Sequence, residues 1–198
     1  MAGSVGTKIS PIAPIQTDSG NFPVQRRLPE AAAASWPNNP VGNMGSPLVV
    51  TSGYALESTA ISSAVKIAGF SNEPFHALAV AGVGGVGSTY GSVPNQTSAK
   101  IIITGSPPQD GNIGVDLAVG DTLFLGWTDG AHTLAVTDPG TIYGITRDAT
   151  SGLWFVDTTI TVAGSGAIIE VVQLYDAVGT VGGRVIFRVC SANRYFSV

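Results

Sequence analysis

TLFLGWTDGAHTLAVTDPGTIYGITRDATSGLWFVD, residues 122 to 157, decides the fold. Short β-branched and aromatic runs alternate there with Asp129-Gly130, Asp138-Pro139-Gly140 and the Asp148-to-Gly152 loop, residue combinations that reverse a chain tightly. The spacing predicts strands at 122–127, 132–137, 141–146 and 153–162, joined as successive hairpins. Working outward, the same signature predicts strands at 47–50 (PLVV), 64–69 (AVKIAG), 76–81 (HALAVA), 99–104 (AKIIIT), 167–175 (AIIEVVQLY) and 184–190 (RVIFRVC), with Gly164-Ser165-Gly166 as a further turn. Aspartates at 110, 116, 121, 129, 138, 148 and 157 fall mostly at strand borders and mark turns. The expected fold is an all-β antiparallel sandwich or barrel spanning residues 48–198.

Residues 1–47 have another character. Seven of the twelve prolines lie there, each fixing its own φ and pushing the preceding residue extended, so the segment reads as an extended N-terminal arm without regular sheet. PEAAAASW, 29–36, is its one plausible helical turn. The arm is not a polar tail, because Ile9, Ile12, Ile15, Phe22, Val24, Leu28, Trp36, Val41 and Met44 recur along it. Ordering it costs roughly 1 to 2 kcal/mol per residue, so it needs a surface to bury those side chains against. In polyproline-like geometry it reaches on the order of 140 Å, which favours a neighbouring subunit over its own body.

Charge supports a partner as well. Only 11% of the chain is Asp, Glu, Lys or Arg, against about a quarter in an ordinary soluble domain, and 26 residues are glycine. A folded protein this poor in charge exposes uncharged surface, as subunits of assemblies do. The net charge is -4 and no basic stripe exists, so nucleic acid is not an expected partner. No apolar run is long enough to cross a membrane and no secretory signal is visible, which points to a soluble chain made in a cytoplasm. Cys190 is the one cysteine, so no intrachain disulfide forms.

Motifs that suggest chemistry are incomplete. GVGGVG, 82–87, fits a dinucleotide fingerprint but is followed by STYGSVPN where a helix should receive the pyrophosphate. His76 and His132 lie outside any recognisable nucleophile elbow, Glu57, Glu73 and Glu170 could pair with an aspartate for glycoside hydrolysis but sequence gives no carboxylate separation, and the aspartates offer hard calcium ligands without a dense DxDxDG run. The chain is therefore expected to have no catalytic residues, no cofactor and no metal. The sequon Asn95-Gln96-Thr97 is expected to be idle without secretion. Trp127, Trp154, Phe155 and Tyr143 offer an alternative, an aromatic platform in a tail-associated or receptor-binding carbohydrate module, although core packing is the commoner use of such residues. The expected partner contacts are Ile12, Ile15, Phe22, Arg26, Arg27 and Trp36 in the arm, with Arg184 and Arg188 on the outward face of the last strand.

KIAGFSNEPFHALAV (66–80), SVPNQTSAKIIITGSPPQDGNIGVDLAVGDTLF (92–124) and YGITRDATSGLWFVD (143–157) follow an extended arm. In these segments and in the order of its parts the chain resembles the decoration, or cement, proteins of tailed bacteriophages. The resemblance implies a structural virion protein on the outer capsid surface that bridges major capsid protein subunits, self-associates as a homodimer or homotrimer, and strengthens the head.

Overall fold

The computed structural model describes residues 11–17, 20, 23–29, 44–58, 61–73, 112–149, 151–161 and 165–196. Eleven strands lie among them: β1 (Ala13–Thr17), β2 (Gln25–Pro29), β3 (Pro47–Thr51), β4 (Tyr54–Glu57), β5 (Gly69–Ser71), β6 (Asn112–Leu117), β7 (Thr122–Trp127), β8 (Ile142–Arg147), β9 (Trp154–Asp157), β10 (Ile169–Leu174) and β11 (Arg184–Val189). They form two antiparallel sheets in the orders β1-β7-β11-β10-β8-β9 and β2-β6-β5-β3-β4. The all-β sandwich expected from the turn pattern is the fold observed. Beyond β7 the chain turns back to β9, where Thr128 bridges Val156 and the Asp129 N–H donates to the Val156 carbonyl at 3.0 Å, so the six-stranded sheet curls on itself.

Period-two alternation explains the core. In β11, Val185, Phe187 and Val189 are buried while Arg184, Ile186 and Arg188 face outward. Phe187 stacks on Phe124 of β7, and Phe70 of β5 meets both rings, at 4.7 Å and 5.9 Å between centroids. Phe70 therefore joins the two sheets in one apolar cluster, and each such aromatic pair contributes roughly 0.5 to 1.5 kcal/mol beyond its buried area. A second cluster, Leu48, Ala55, Ile113, Val115, Leu117 and Val119, fills the five-stranded sheet's other face.

The strands at 47–50, 122–127, 141–146, 167–175 and 184–190 are observed within a residue or two of their expected ends, but three others differ for local reasons. Residues 132–137 form no strand; one bridge, Thr133 to Val181, is made. The Asp138 carboxylate takes the Ala135 N–H at 2.8 Å, and a donor spent on a side chain is lost to a ladder. The strand expected over 153–162 stops at Asp157, whose Oδ1 accepts from the Thr159 N–H and hydroxyl and bends the chain. In 64–69, only Gly69 is in a strand, because β5 starts there; a Cβ on Gly69 would collide with the Asp116 carbonyl across the ladder. Asp116 itself lies buried within β6 and marks no turn. The strands expected at 76–81 and 99–104, the glycine run 82–87, His76, the sequon and residues 30–36 of the helical turn lie outside the described residues.

The arm is the main correction. Its segments β1 and β2 are regular strands, pairing with β7 and β6 of the same chain, one at the edge of each sheet. Proline was compatible with them because an edge strand hydrogen-bonds on one side only, and Pro14 and Pro29 occupy those edges. Ile15 is the extra residue where the β1 register shifts, a bulge that turns it outward. The other two edges, β4 and β9, are four residues long. They are tied together by buried Glu57, which accepts from Ser46 Oγ at 3.1 Å and from Trp154 Nε1 at 2.8 Å. Arg147 Nε, buried without a hydrogen-bond acceptor, lies 3.5 Å from the same carboxylate and is compensated by its charge.

Candidate assembly surface

The residues expected to contact partners meet different fates. Ile12 is 2% exposed and belongs to the chain's own core, where it sits 3.6 Å from the position a Cβ on Gly126 of β7 would take. It is a plug for this molecule and offers nothing to another. Ile15 is exposed on the bulge, and Phe22 and Trp36 lie outside the described residues. Arg26 is exposed on β2, whereas Arg27 bridges Glu73 at 3.0 Å and donates to the Asn112 carbonyl at 2.8 Å. Arg184 and Arg188 do point outward, but each meets a carboxylate of its own chain. Asp176 takes two guanidinium donors and the backbone N–H of Arg184, and Glu170 takes two guanidinium donors from Arg188.

A polar recess of about 380 Å³ adjoins β2, lined by Gln25, Arg26, Arg27, Asn72 and Gly114. A Cβ on Gly114 would occupy the place of Asn72 Oδ1, so glycine lets the Asn72 amide settle over β6. The neighbouring Asp116 carboxyl has its pKa raised by burial, an effect that the amide donors Gln25 (2.8 Å) and Asn72 (3.4 Å) only partly oppose.

The aromatic residues do not assemble into a platform. Trp154 and Phe155 are buried, and the Trp154 indole N–H is spent on Glu57. Tyr143 is buried with its hydroxyl donated to Asp138 at 2.8 Å. The Arg184 guanidinium lies over both Trp127 and Tyr175, at 5.3 Å and 4.3 Å from the ring centroids, and covers a face of each ring.

One end of the six-stranded sheet presents a surface that the sequence patterns did not single out. Loops 130–137 and 177–182 lie side by side: Leu134 N–H donates to the Thr180 carbonyl, Gly179 N–H to the Leu134 carbonyl and Gly182 N–H to the His132 carbonyl, at 2.7 to 2.9 Å. Leu134 points into the core, and its neighbours are left outside. Val136 is 76% exposed, Val181 61%, Val178 57% and the adjoining Tyr175 52%. Neither loop contains Asp, Glu, Lys or Arg. Sequence reasoning missed the tip because valine runs next to glycine read equally as strand or turn. The absence of charge from two separate loops was its one available signal.

Aspartates hold this tip rigid from beneath. Asp129 accepts from the Ala131 and His132 N–H groups and from the Thr158 hydroxyl. Asp138 accepts from Ala135 N–H, Tyr143 OH and His132 Nε2, the last at 2.9 Å. Burial acts to raise the Asp138 pKa, but these hydrogen bonds outweigh it and the net shift is downward. Burial and the same carboxylate push Tyr143 up to about 12. The His132 ring meets the Asp138 carboxylate, and this pair braces the loop.

No family model matches the chain, and neither a curated protein nor a solved structure matches it. Among the described residues no helix is long and apolar enough to cross a membrane.

Proposed function

We propose that the chain is a structural virion protein, a decoration subunit that binds the outside of an icosahedral phage head and strengthens it by bridging major capsid subunits. The observation that carries this reading is the rigid, uncharged tip with its exposed valines, in a molecule where charged residues are scarce throughout. Isolated soluble domains rarely leave a contiguous uncharged apolar patch in water, and preorganised loops bind at low entropic cost. Copies arrayed on a shell act together, so modest contacts multiply into firm attachment. The paired arginines and the blocked Trp127 face favour this reading over a carbohydrate module.

The deciding experiment counts copies per purified particle by quantitative mass spectrometry. A shell subunit is present in tens to hundreds of copies, and heads lacking it disrupt at lower temperature. A count of a few copies, or none, assigns the chain elsewhere. Deleting residues 1–10 leaves every described strand in place and asks whether that part of the arm contributes to attachment.

A further inference from the structure

We propose that the recess beside β2 is a cation site, in which the Asp116 carboxylate receives the ammonium group of a primary amine. Asp116 is 2% exposed, one of three buried acids among the described residues. The other two have a basic partner: Glu57 lies 3.5 Å from Arg147 Nε, and Asp138 lies 2.9 Å from His132 Nε2. Among the described residues Asp116 meets only amides, Gln25 Nε2 at 2.8 Å and Asn72 Nδ2 at 3.4 Å, and Oδ1 takes both. No donor among those residues reaches Oδ2. A carboxylate withdrawn from water without a counter-charge is costly, which is why burial raises its pKa. What this group lacks is a cation.

The surroundings suit one. Gln25 and Asn72, which hold the carboxyl, also line the recess of about 380 Å³, so Asp116 lies directly behind its wall. The Asn72 bond is long, and a charged ammonium donor makes a shorter and stronger bond to a carboxylate than a neutral amide does. An ammonium group has three N–H donors to satisfy. Gln25 and Asn72 turn their amide nitrogens to Asp116, which leaves their amide oxygens as acceptors beside Oδ2. A divalent metal takes six or more oxygens, and no cluster of three His, Cys, Asp or Glu occurs among the described residues. The neighbouring charges do not oppose a cation. Period-two alternation puts Gln25 and Arg27 on the Asp116 face of β2 and carries Arg26 to the other face with Leu28. Arg27 is neutralised by Glu73 at 3.0 Å and held by the Asn112 carbonyl, and β5 has no charged residue. The site is independent of the decoration role.

The probe is butylammonium chloride, titrated into the full chain and followed by calorimetry and by the carboxyl-carbon NMR signal of Asp116. Sodium chloride at equal ionic strength and butanol, the same alkyl chain without the charge, are the controls. Saturable binding is expected, with a dissociation constant on the order of 1 mM. It tightens as pH rises through the folded Asp116 value, because the ligand selects the ionised carboxyl. By the same linkage, saturating probe moves the Asp116 titration midpoint to lower pH. Asp116→Asn, which keeps the shape and removes the charge, should weaken binding at least about ten-fold. A midpoint that stays in place overturns the proposal, and the wild type alone decides this even if the variant does not fold. Equal effects from sodium chloride or butanol overturn it too, as does a folded Asp116→Asn that binds like the wild type. Nα-acetyl-lysine amide then identifies the source of the ammonium. Binding equal to butylammonium assigns the site to a lysine side chain of a partner, and binding of butylammonium alone assigns it to a free amine.

Discussion

The arm's two strands, β1 and β2, are equal in length, both antiparallel and both at a sheet edge, yet they are held by different physics. β1 is anchored by Ile12 just ahead of it, driven into the larger core above Gly126. β2 has half-buried Leu28 against the smaller core and is otherwise clasped by polar groups: Gln25 on Asp116 and Arg27 on Glu73. Proline-rich sequence thus supports two kinds of attachment. An apolar plug gives strength that salt and pH hardly touch, and polar clasps give a strand whose hold depends on both.

Substitution should separate the two. Ile12→Ala is expected to cost about 2 to 4 kcal/mol in denaturant unfolding, while Leu28→Ala, being only half-buried, should cost about 1 kcal/mol. Equal costs would erase the distinction. Gly114→Ala is next, at about 1 to 2 kcal/mol, because the new methyl displaces Asn72 from above β6 and with it one donor to Asp116; the loss is read as a lower melting temperature.

Asp116 sharpens the comparison by titration. Its folded pKa is raised, so its contribution to stability is fully present below the ordinary carboxylate value of 3.8 and is lost as pH rises through the folded value. Asp116→Asn keeps an acceptor for Gln25 and removes the buried charge, so it should flatten that part of the pH–stability curve. A curve unchanged by the substitution counts against the assignment. Smallest is Arg27→Ala, expected to cost less than about 1 kcal/mol and to lose its effect in high salt, since the guanidinium is half exposed.

The turns were legible in the sequence because they are chemically local. Asp129, Asp138, Asp148 and Asp157 all bind backbone N–H groups within three residues, as their spacing implied. Gly140, with φ of 84° after Pro139, closes the turn that the Thr141 N–H makes back to the Asp138 carbonyl. What escaped notice depended on distant partners. QRRLP reads as loop until Gly114 and Ile113 of β6 supply the ladder opposite it, and NIGVDL hides its strand behind a glycine and an aspartate whose reasons, Asn72 and Gln25, lie 42 and 91 residues away. Val136 and Val181 became a candidate site only when their loops were brought side by side.

The bulge at Ile15 and the proline beside it carry a consequence for how copies can accumulate. An unbroken, flat outermost strand templates endless stacking, and polymers grown that way are fibres. Here the kinked margin of one sheet and the cationic margin of the other deny a newcomer any such template, so growth terminates instead of propagating. A chain with such margins stays clear of amyloid-like precipitation even when it is made in bulk.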